Sequence, residues 1–446
     1  MRRGIISPAV TVALLLPLAT ACAGDGGAGG APRTVTVTVG YQSRTINTVT
    51  AGTLLRSLGY FEEELAARGE KEGVTYRVDW QDYATGAPIT AQMTAGKVDI
   101  GSMGDFPLLI NAARGEELKQ PTRLVSVTGY NLRGGLNTVV TAPDSPLESL
   151  ADLRGRKVST SVGSAADGTL VRALRRAGID PDKDVRKLNQ QPSVGASALQ
   201  AGSADALSQF VAWPGQLAFE GRAKALYDGA ELNLPTFHGV TVRKKFADER
   251  PGVLDDFLKA QRRATDHLRA KPVAAAESVA KETGLPPEVV YLYNGANGIA
   301  TFDPALRPEL IAALKEDVPV LKAAGLVGDV DVDAFVDPAP LKRAVRAAAY
   351  PKAGAAKPEL WLKGRATTRT FDSPEDLLRA AGGADVRAAY VPDALTGTLW
   401  FADRAVWVAD GAELRAFVTP ASAERYVDGH AGARIIRYAE AVELAS

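Results

Sequence analysis

The chain has 446 residues, of which 46% are hydrophobic, and its 52 basic side chains balance its 52 acidic ones. This length exceeds one ordinary hydrophobic core, so two or three domains are expected. The balanced charge, with no basic stripe along the sequence, argues against a nucleic-acid-binding protein.

The amino terminus has the pattern of an export signal. A basic start precedes an apolar segment from Ile5 to Leu18, and small residues from Ala19 lead to Cys22. The apolar segment is shorter than the roughly 20 residues that a membrane-spanning helix needs. We therefore predict that residues 1–21 form a signal peptide that is removed during export.

Cys22 is the only cysteine, so no internal disulfide can form. The small residues before it resemble the lipobox of bacterial lipoproteins, although Ala19 stands where leucine is usual. Lipid attachment at Cys22 is the favoured interpretation, with residues 22–33 as a flexible, glycine-rich tether. Secretion without a lipid is the alternative. Anchoring would hold the protein on the extracytoplasmic face of the cell membrane.

The first part of the mature chain alternates between strand and helix patterns. β-Branched residues alternate from Val35 to Gly40 and the pattern returns from Val74 to Trp80, as in β-strands. Leucines at helical spacing predict one helix from Thr53 to Arg68 between them. This order is typical of an α/β domain with a mostly parallel sheet and helices on both faces.

The pattern restarts near residue 136 and continues to about 236, which predicts a second α/β lobe. Its most distinctive stretch, Lys157–Val171, has the pattern of a strand, a small-residue turn and the first turn of a helix. The free N–H groups of such a turn favour an anion, although an ordinary strand-to-helix turn is the alternative. Beyond about Gly239 the sequence predicts helices that return to the first lobe.

Three motifs carry a family resemblance: Val37-Thr-Val-Gly-Tyr-Gln42, Ala95-Gly-Lys-Val-Asp-Ile-Gly-Ser-Met-Gly-Asp-Phe-Pro107 and Leu150-Ala-Asp-Leu-Arg-Gly-Arg-Lys-Val158. Over residues 35–345 the chain resembles the nitrate/sulfonate/taurine family of ABC-transporter substrate-binding proteins. The resemblance implies the type II periplasmic binding-protein fold. Residues 34–134 and 239–350 would form lobe 1, and residues 135–238 would form lobe 2.

In that fold the ligand lies between the lobes, beyond the carboxyl ends of the strands. The resemblance implies that hinge closure near residues 133–137 and 237–240 captures a small polar molecule for a permease in the cytoplasmic membrane. A monomer without cofactor or metal is expected. The implied cleft residues are Tyr41, Gln42, Tyr83, Thr85, Gly86, Gly104, Asp105, Phe106, Gly163, Ser164, Ala165, Asp167, Gln191 and Trp213.

Asp105 and Asp167 bear on the ligand, because two facing carboxylates disfavour a bare anion and suit a zwitterion, an amine or an amide. Other interpretations stay open at single positions. Trp213 and Phe106 could belong to the core, Asp105 could cap a helix, and Gln191 could be a solvated loop residue. The alternative function is a sensor or enzyme for a small heterocyclic metabolite, such as a thiamine-precursor pyrimidine.

The chain continues beyond the family's usual end. Residues 351–358 predict a linker, and residues 359–446, called the tail here, predict a separable α+β domain with one unbroken strand at 388–400. The run from Phe417 to Arg437 resembles the NosL family of copper-binding accessory lipoproteins. That family uses methionine and cysteine ligands, which the tail lacks, and His430 is its one histidine. We therefore expect no copper site, and the role of the tail is open.

Overall fold

Residues 33–346, 350 and 354–446 are described by the computed structural model of the chain. The predicted signal peptide, the lipidation site at Cys22 and nearly all of the tether lie outside these residues. Within them, every helix is too short or too polar to cross a membrane.

The strands of residues 33–302 form two sheets, one in each lobe. The lobe 1 sheet has the order β11-β4-β10-β3-β1-β2, and the lobe 2 sheet has the order β7-β6-β8-β5-β9. The strands are β1 Arg33–Tyr41, β2 Val74–Asp82, β3 Ile100–Gly104, β4 Thr122–Asn131, β5 Asn137–Thr141, β6 Lys157–Thr160, β7 Arg186–Asn189, β8 Ala206–Phe210, β9 Lys224–Asp228, β10 Thr236–Arg243 and β11 Thr301–Phe302.

Helices cover the sheets, as the alternating pattern predicted. The helices are α1 Thr53–Leu58, α2 Tyr60–Glu72, α3 Gly86–Thr94, α4 Asp105–Glu117, α5 Ala165–Arg176, α6 Pro192–Gln200, α7 Trp213–Phe219, α8 Lys244–Glu249, α9 Pro251–Ala270, α10 Pro272–Thr283, α11 Pro287–Asn294, α12 Pro308–Ala323, α13 Val332–Phe335 and α14 Ala339–Ala344. The single helix predicted over residues 53–68 is wrong. Gly59, with φ of 68°, is left-handed and divides it into α1 and α2.

The chain crosses between the lobes twice, at residues 132–136 and 229–235. β10 starts at Thr236 and pairs antiparallel with β3 and β4, so residues 236–238 belong to the sheet of lobe 1 rather than to lobe 2. The carboxyl ends of β1 and β3 therefore face the carboxyl ends of β6 and β8.

The tail is an α+β unit with two small antiparallel sheets, ordered β13-β12-β14-β15 and β17-β16-β18. The strand predicted over 388–400 is in fact two strands, because the Asp393 carboxylate accepts the N–H groups of Leu395 and Thr396 and forms a turn. The elements are β12 Glu359–Leu362, β13 Arg369–Thr370, α15 Pro374–Ala381, β14 Val386–Pro392, β15 Leu399–Phe401, β16 Val406–Asp410, β17 Glu413–Phe417, α16 Pro420–Asp428, β18 Arg434–Ile436 and α17 Tyr438–Ala445.

The tail shares a hydrophobic core with the helices that return to lobe 1. The Tyr291 ring of α11 lies 5.3 Å from the Trp361 ring and 5.6 Å from the Tyr390 ring, and all three side chains are fully buried. The Tyr291 hydroxyl donates to the buried Glu359 carboxylate at 2.6 Å. Removal of the tail would expose this aromatic surface on α11, and the separable domain expected from the sequence stays a prediction.

The shared core predicts different effects for two equally buried tryptophans of the tail. Trp361→Ala removes the ring that covers Tyr291, so we expect a loss of about 3–5 kcal/mol in unfolding free energy and faster amide hydrogen exchange in α11. Trp407→Ala is the matched control, because Trp407 packs inside the tail against Tyr438. Unchanged exchange in α11 of Trp361→Ala would contradict the shared core.

Candidate functional site

The facing strand ends of the two lobes are in contact. A Cβ placed on Gly104 at the end of β3 would lie 3.6 Å from the Cβ of Ala165 in lobe 2. A Cβ placed on Gly168 of α5 would lie 2.1 Å from the ring of Phe106 in lobe 1. Only glycine at position 168 allows this approach, so the two lobes are in contact at this point.

The turn between β6 and α5 is built by its own side chains. Ser164 caps α5 by accepting the Asp167 N–H at 3.3 Å, and Asp167 Oδ2 accepts the Gly163 N–H at 3.1 Å. Asp167 Oδ1 lies 3.6 Å from Lys187 Nζ. Burial raises the Asp167 pKa, and Lys187 opposes that rise. The carboxylate is thus already paired within lobe 2.

The first turn of α5 keeps free donors. Ala165 and Ala166 are buried, and their N–H groups have no partner within the described residues. The first N–H groups of a helix lie at the positive end of its dipole and suit an anionic acceptor. Because Ala165 also contacts Gly104, these donors lie at the boundary between the lobes.

Both oxygens of the Asp105 carboxylate accept backbone hydrogen bonds inside lobe 1. Its Oδ1 accepts the Phe106 N–H at 2.8 Å and its Oδ2 accepts the Phe237 N–H at 3.2 Å, which ties α4 to β10. The side chain is 1% exposed, and burial raises its pKa to about 6. Its geometry is that of a structural carboxyl group.

An ion pair that the sequence did not predict joins the lobes beside Phe106. Arg172 of α5 donates to Asp317 of α12 at 2.5 Å and to the Glu316 carbonyl at 2.6 Å. Its guanidinium carbon lies 5.8 Å from the Phe106 ring centroid. No spacing rule could reveal this pair, because its members are 145 residues apart.

His238 is a second residue that the sequence did not assign to the site. His238 on β10 lies opposite Gly104 on β3, and a Cβ placed on Gly104 would lie 3.2 Å from the His238 ring. Its Nδ1 lies 2.6 Å from Asn47 Nδ2. Burial lowers the His238 pKa to about 3, so the ring is neutral at physiological pH.

Trp213 lies at the lobe boundary, and its ring contacts Arg44, which the sequence analysis did not assign to the site. Arg44, which follows β1, places its guanidinium carbon 4.9 Å from the Trp213 ring centroid. The Arg44 Nη2 donates to Gln216 of α7 at 3.1 Å, and the Arg44 carbonyl accepts the Ala212 N–H at 3.3 Å. The loop after β1 therefore contacts the start of α7.

Tyr41 and Gln42, two further residues expected to line the cleft, make their contacts within lobe 1. Tyr41 is buried against Trp80 and accepts from Arg56 at 3.2 Å, and Gln42 donates to the Ser102 carbonyl at 3.1 Å.

The remaining four predicted residues are Tyr83, Thr85, Gly86 and Gln191, and a Cβ placed on Gly86 would meet Met103 and Pro107 on either side of the Gly104 to Phe106 stretch. The Tyr83 hydroxyl donates to Gln81 Oε1 at 2.5 Å. Thr85 is the residue before α3, and Gly86 lies against Pro107. Gln191 is exposed before α6. The structure thus brings together Gly104 and Phe106 with the turn from Gly163 to Asp167.

Several buried polar atoms near this boundary have no hydrogen-bond partner within the described residues. They belong to residues at or beside the facing strand ends, and buried polar groups normally find partners. The atoms are Asn47 Oδ1, Ser102 Oγ, Asn137 Oδ1, Thr160 Oγ1, Asp167 Oδ1, Gln209 Oε1 and Thr236 Oγ1. In the same part of the chain, no three His, Cys, Asp or Glu side chains cluster as metal ligands would.

The stability of the fold should depend on pH through His238. Its pKa of about 3 lies below the value of roughly 6.5 expected in the unfolded chain, so acid favours unfolding from about pH 6.5 downward. Asp105 acts in the opposite sense between about pH 4 and 6, because its pKa is raised in the folded state.

We therefore expect His238→Gln to reduce the fall in unfolding free energy as pH decreases from about 6.5 to 4. Urea titrations at several pH values give this slope for each protein, and His430→Gln in the tail is the comparison variant. The slope is compared rather than the absolute stability, because the substitution also changes packing. A slope equal to that of the wild type would contradict a neutral, buried His238.

The comparisons with known proteins agree with this geometry. A family model described as "NMT1/THI5 like" matches residues 56–275. The chain is 26% identical over 224 residues to the putative aliphatic sulfonates-binding protein of Escherichia coli, covering 50% of this chain and 68% of that relative. It is 29% identical over 198 residues to the taurine-binding periplasmic protein of E. coli, covering 44% and 58%.

A solved structure shares the two-lobed architecture. The alkanesulfonate-binding protein SsuA from Xanthomonas axonopodis pv. citri, bound to MOPS, superimposes with a TM-score of 0.57 at 22% identity. The match covers 69% of this chain and 99% of that structure. This likeness establishes the periplasmic binding-protein fold predicted from the sequence.

Proposed function

We propose that this protein is the extracytoplasmic solute-binding component of an ABC importer. It would capture a small polar molecule of the sulfonate, nitrate or taurine kind between its two lobes and deliver it to a membrane permease. The observation that carries the proposal is the contact of Gly104 and Phe106 with the amino end of α5, in a fold whose ligands lie between the lobes. The names of the relatives support the same ligand class.

The chemistry of the boundary suits an oxyanion at the start of α5. The unpaired N–H groups of Ala165 and Ala166 would donate to its oxygens, and the neutral His238 ring lies on the facing lobe. The amide oxygens of Asn47, Asn137 and Gln209 also lack partners within the described residues and, as acceptors, suit a donor group such as the amine of a zwitterion rather than the oxyanion. Contacts made with both lobes at once would favour the closed form when ligand is bound.

The alternative of an enzyme or sensor for a heterocyclic metabolite has less support. Catalysis needs a nucleophile held within reach of a base. The His238 ring hydrogen-bonds Asn47 rather than a hydroxyl or thiol within the described residues. Nucleophilic catalysis by His238 and a neighbouring residue therefore has no geometric basis there.

Attachment to the membrane through a lipid on Cys22 is also part of the proposal, and it rests on the leader pattern and the glycine-rich tether. Fractionation of cells that produce wild type or Cys22→Ser tests it. Cys22→Ser should release the protein or leave an uncleaved precursor, and unchanged membrane fractionation together with a cleaved, unlipidated wild type would contradict lipid anchoring.

Closure at Gly168 gives a direct test of the binding function. Gly168→Ala places a methyl group where the Phe106 ring now lies, so the lobes cannot approach fully. We expect the affinity for whichever of taurine, butanesulfonate or nitrate the wild type binds to fall at least about tenfold, or 1.4 kcal/mol, in isothermal titration. Gly328→Ala, in open space, is the control. Equal affinities of wild type and Gly168→Ala would contradict closure around the ligand.

A further inference from the structure

The charged groups at the lobe boundary differ in how they are paired. Lys187 pairs with Asp167, and Arg172 pairs with Asp317. Asp105 is satisfied by two N–H groups, and its pKa of about 6 shows that its charge is opposed by burial. Arg44 forms no ion pair within the described residues, although carboxylates neutralise the other two cations.

The Arg44 guanidinium has a buried N–H donor that lacks an acceptor within the described residues. The side chain is half-buried, its Nη2 is bonded to the neutral Gln216, and its buried Nε–H has no partner. A desolvated donor without an acceptor is costly, more so when it carries charge. The Trp213 ring beneath it offers a cation–π contact but no hydrogen-bond acceptor.

We propose that Arg44 is the specificity-determining cation of the cleft, where it recognises the negatively charged group of the ligand. A sulfonate or carboxylate oxygen would supply the acceptor that Nε lacks, and charge-assisted hydrogen bonds to arginine are among the stronger ones. The inference rests on the proposed binding function. It is an alternative to the expectation that Asp105 and Asp167 select a ligand with a positive group; Asp105 accepts two backbone N–H groups and Asp167 pairs with Lys187 at 3.6 Å, whereas Asp167 Oδ1 has no hydrogen-bond partner within the described residues.

The test uses butanesulfonate, which is an anion without an amine. Arg44→Gln should lower its affinity at least about tenfold, and the dissociation constant of the variant should respond less to salt than that of the wild type. Arg44→Lys should retain the salt dependence because it keeps the charge. Arg56→Gln is the control, because Arg56 lies in the same lobe but already bonds Tyr41 and pairs with Glu282.

The outcomes distinguish the role of Arg44 from the binding function of the whole protein. If wild type and Arg44→Gln bind butanesulfonate equally, the role of Arg44 is wrong while the binding function stands. Equal salt dependence in the two proteins would also overturn it, because a residue that only packs on Trp213 would lower affinity without changing the electrostatic response. If the wild type binds none of butanesulfonate, taurine and nitrate, the proposed function is wrong and the inference fails with it.

The tail contacts both lobes, independently of the contacts of Arg44. On lobe 1, Arg387 pairs with Glu277 and Glu288, and the Tyr390 hydroxyl donates to the Glu288 carbonyl at 2.9 Å. On lobe 2, Thr396 donates to Asp228 at 2.8 Å and Arg425 pairs with Glu231 at 2.8 Å.

The lobe 2 contacts extend away from the crossing segments. The Phe401 ring of the tail lies 5.3 Å from the ring of Phe219 at the far end of α7, and Arg404 donates to the Phe219 carbonyl at 3.4 Å. A rotation of lobe 2 about the crossings would displace Phe219 relative to lobe 1. Because the tail is joined to α11 through a shared core, that rotation must break one set of tail contacts.

We infer that the tail is a clamp that limits the opening of the two lobes and so regulates access to the same cleft. The clamp would keep the ligand-free protein closer to the closed state. Loosening it would populate open states and weaken apparent affinity in proportion to the loss of closed protein.

Distances between spin labels test the clamp. Glu117→Cys and Lys183→Cys place labels on exposed sites of lobes 1 and 2, in a Cys22→Ser background. Glu231→Ala with Arg404→Ala removes contacts between the tail and lobe 2, and should lengthen and broaden the distance distribution without ligand. Arg379→Ala is the control, because its partner Asp376 lies within the tail. Identical distributions in the clamp variant and the wild type would overturn the inference.

Discussion

The seating of the Phe106 ring on Gly168 is the contact that the two-lobed arrangement depends on. Any side chain at position 168 would occupy the space of the ring, so the amino end of α5 approaches lobe 1 only because residue 168 is glycine. The same approach brings Ala165 to Gly104 and allows Arg172 to reach Asp317. Steric fit thus sets the position at which the charges and the free N–H groups meet.

The electrostatics of the boundary follow from that fit. Arg172 and Asp317 are desolvated together, and such a pair contributes more to fixing one arrangement than to net stability, because the desolvation of both charges offsets their attraction. The carboxyl groups of Asp105 and Asp167 are held by backbone N–H groups of their own lobes. Arg44 Nε and the first N–H groups of α5 are donors without partners among the described residues.

The tail changes how the returning helices of lobe 1 are stabilised. α10 and α11 bury Tyr291 and their neighbours against Trp361, Tyr390 and Trp400 rather than leaving that face to solvent. Glu359 is fully buried, and its charge is supported by Tyr291, Asn297 and Thr368. These contacts join the tail to lobe 1, and its contacts with Asp228 and Glu231 join it to lobe 2 and to the second crossing segment as well.

The sequence by itself determined the alternation of strands and helices, the two lobes and the family resemblance, because hydrophobic periodicity and glycine-rich turns are local signals. The family resemblance implied that Gly104, Phe106 and residues 163–167 line one cleft, since ligands in this fold lie beyond the carboxyl ends of the strands; their role in binding stays a prediction.

Only the tertiary structure decided which charges are compensated. Arg172 and Asp317 are 145 residues apart, and Lys187 reaches Asp167 from a neighbouring strand, so their pairing depends on strand register and lobe packing. The same holds for the tail, whose burial of Trp361 against Tyr291 no linker composition could reveal. Local patterns specify elements, whereas the partners of a buried charge or ring are fixed by how those elements pack in three dimensions.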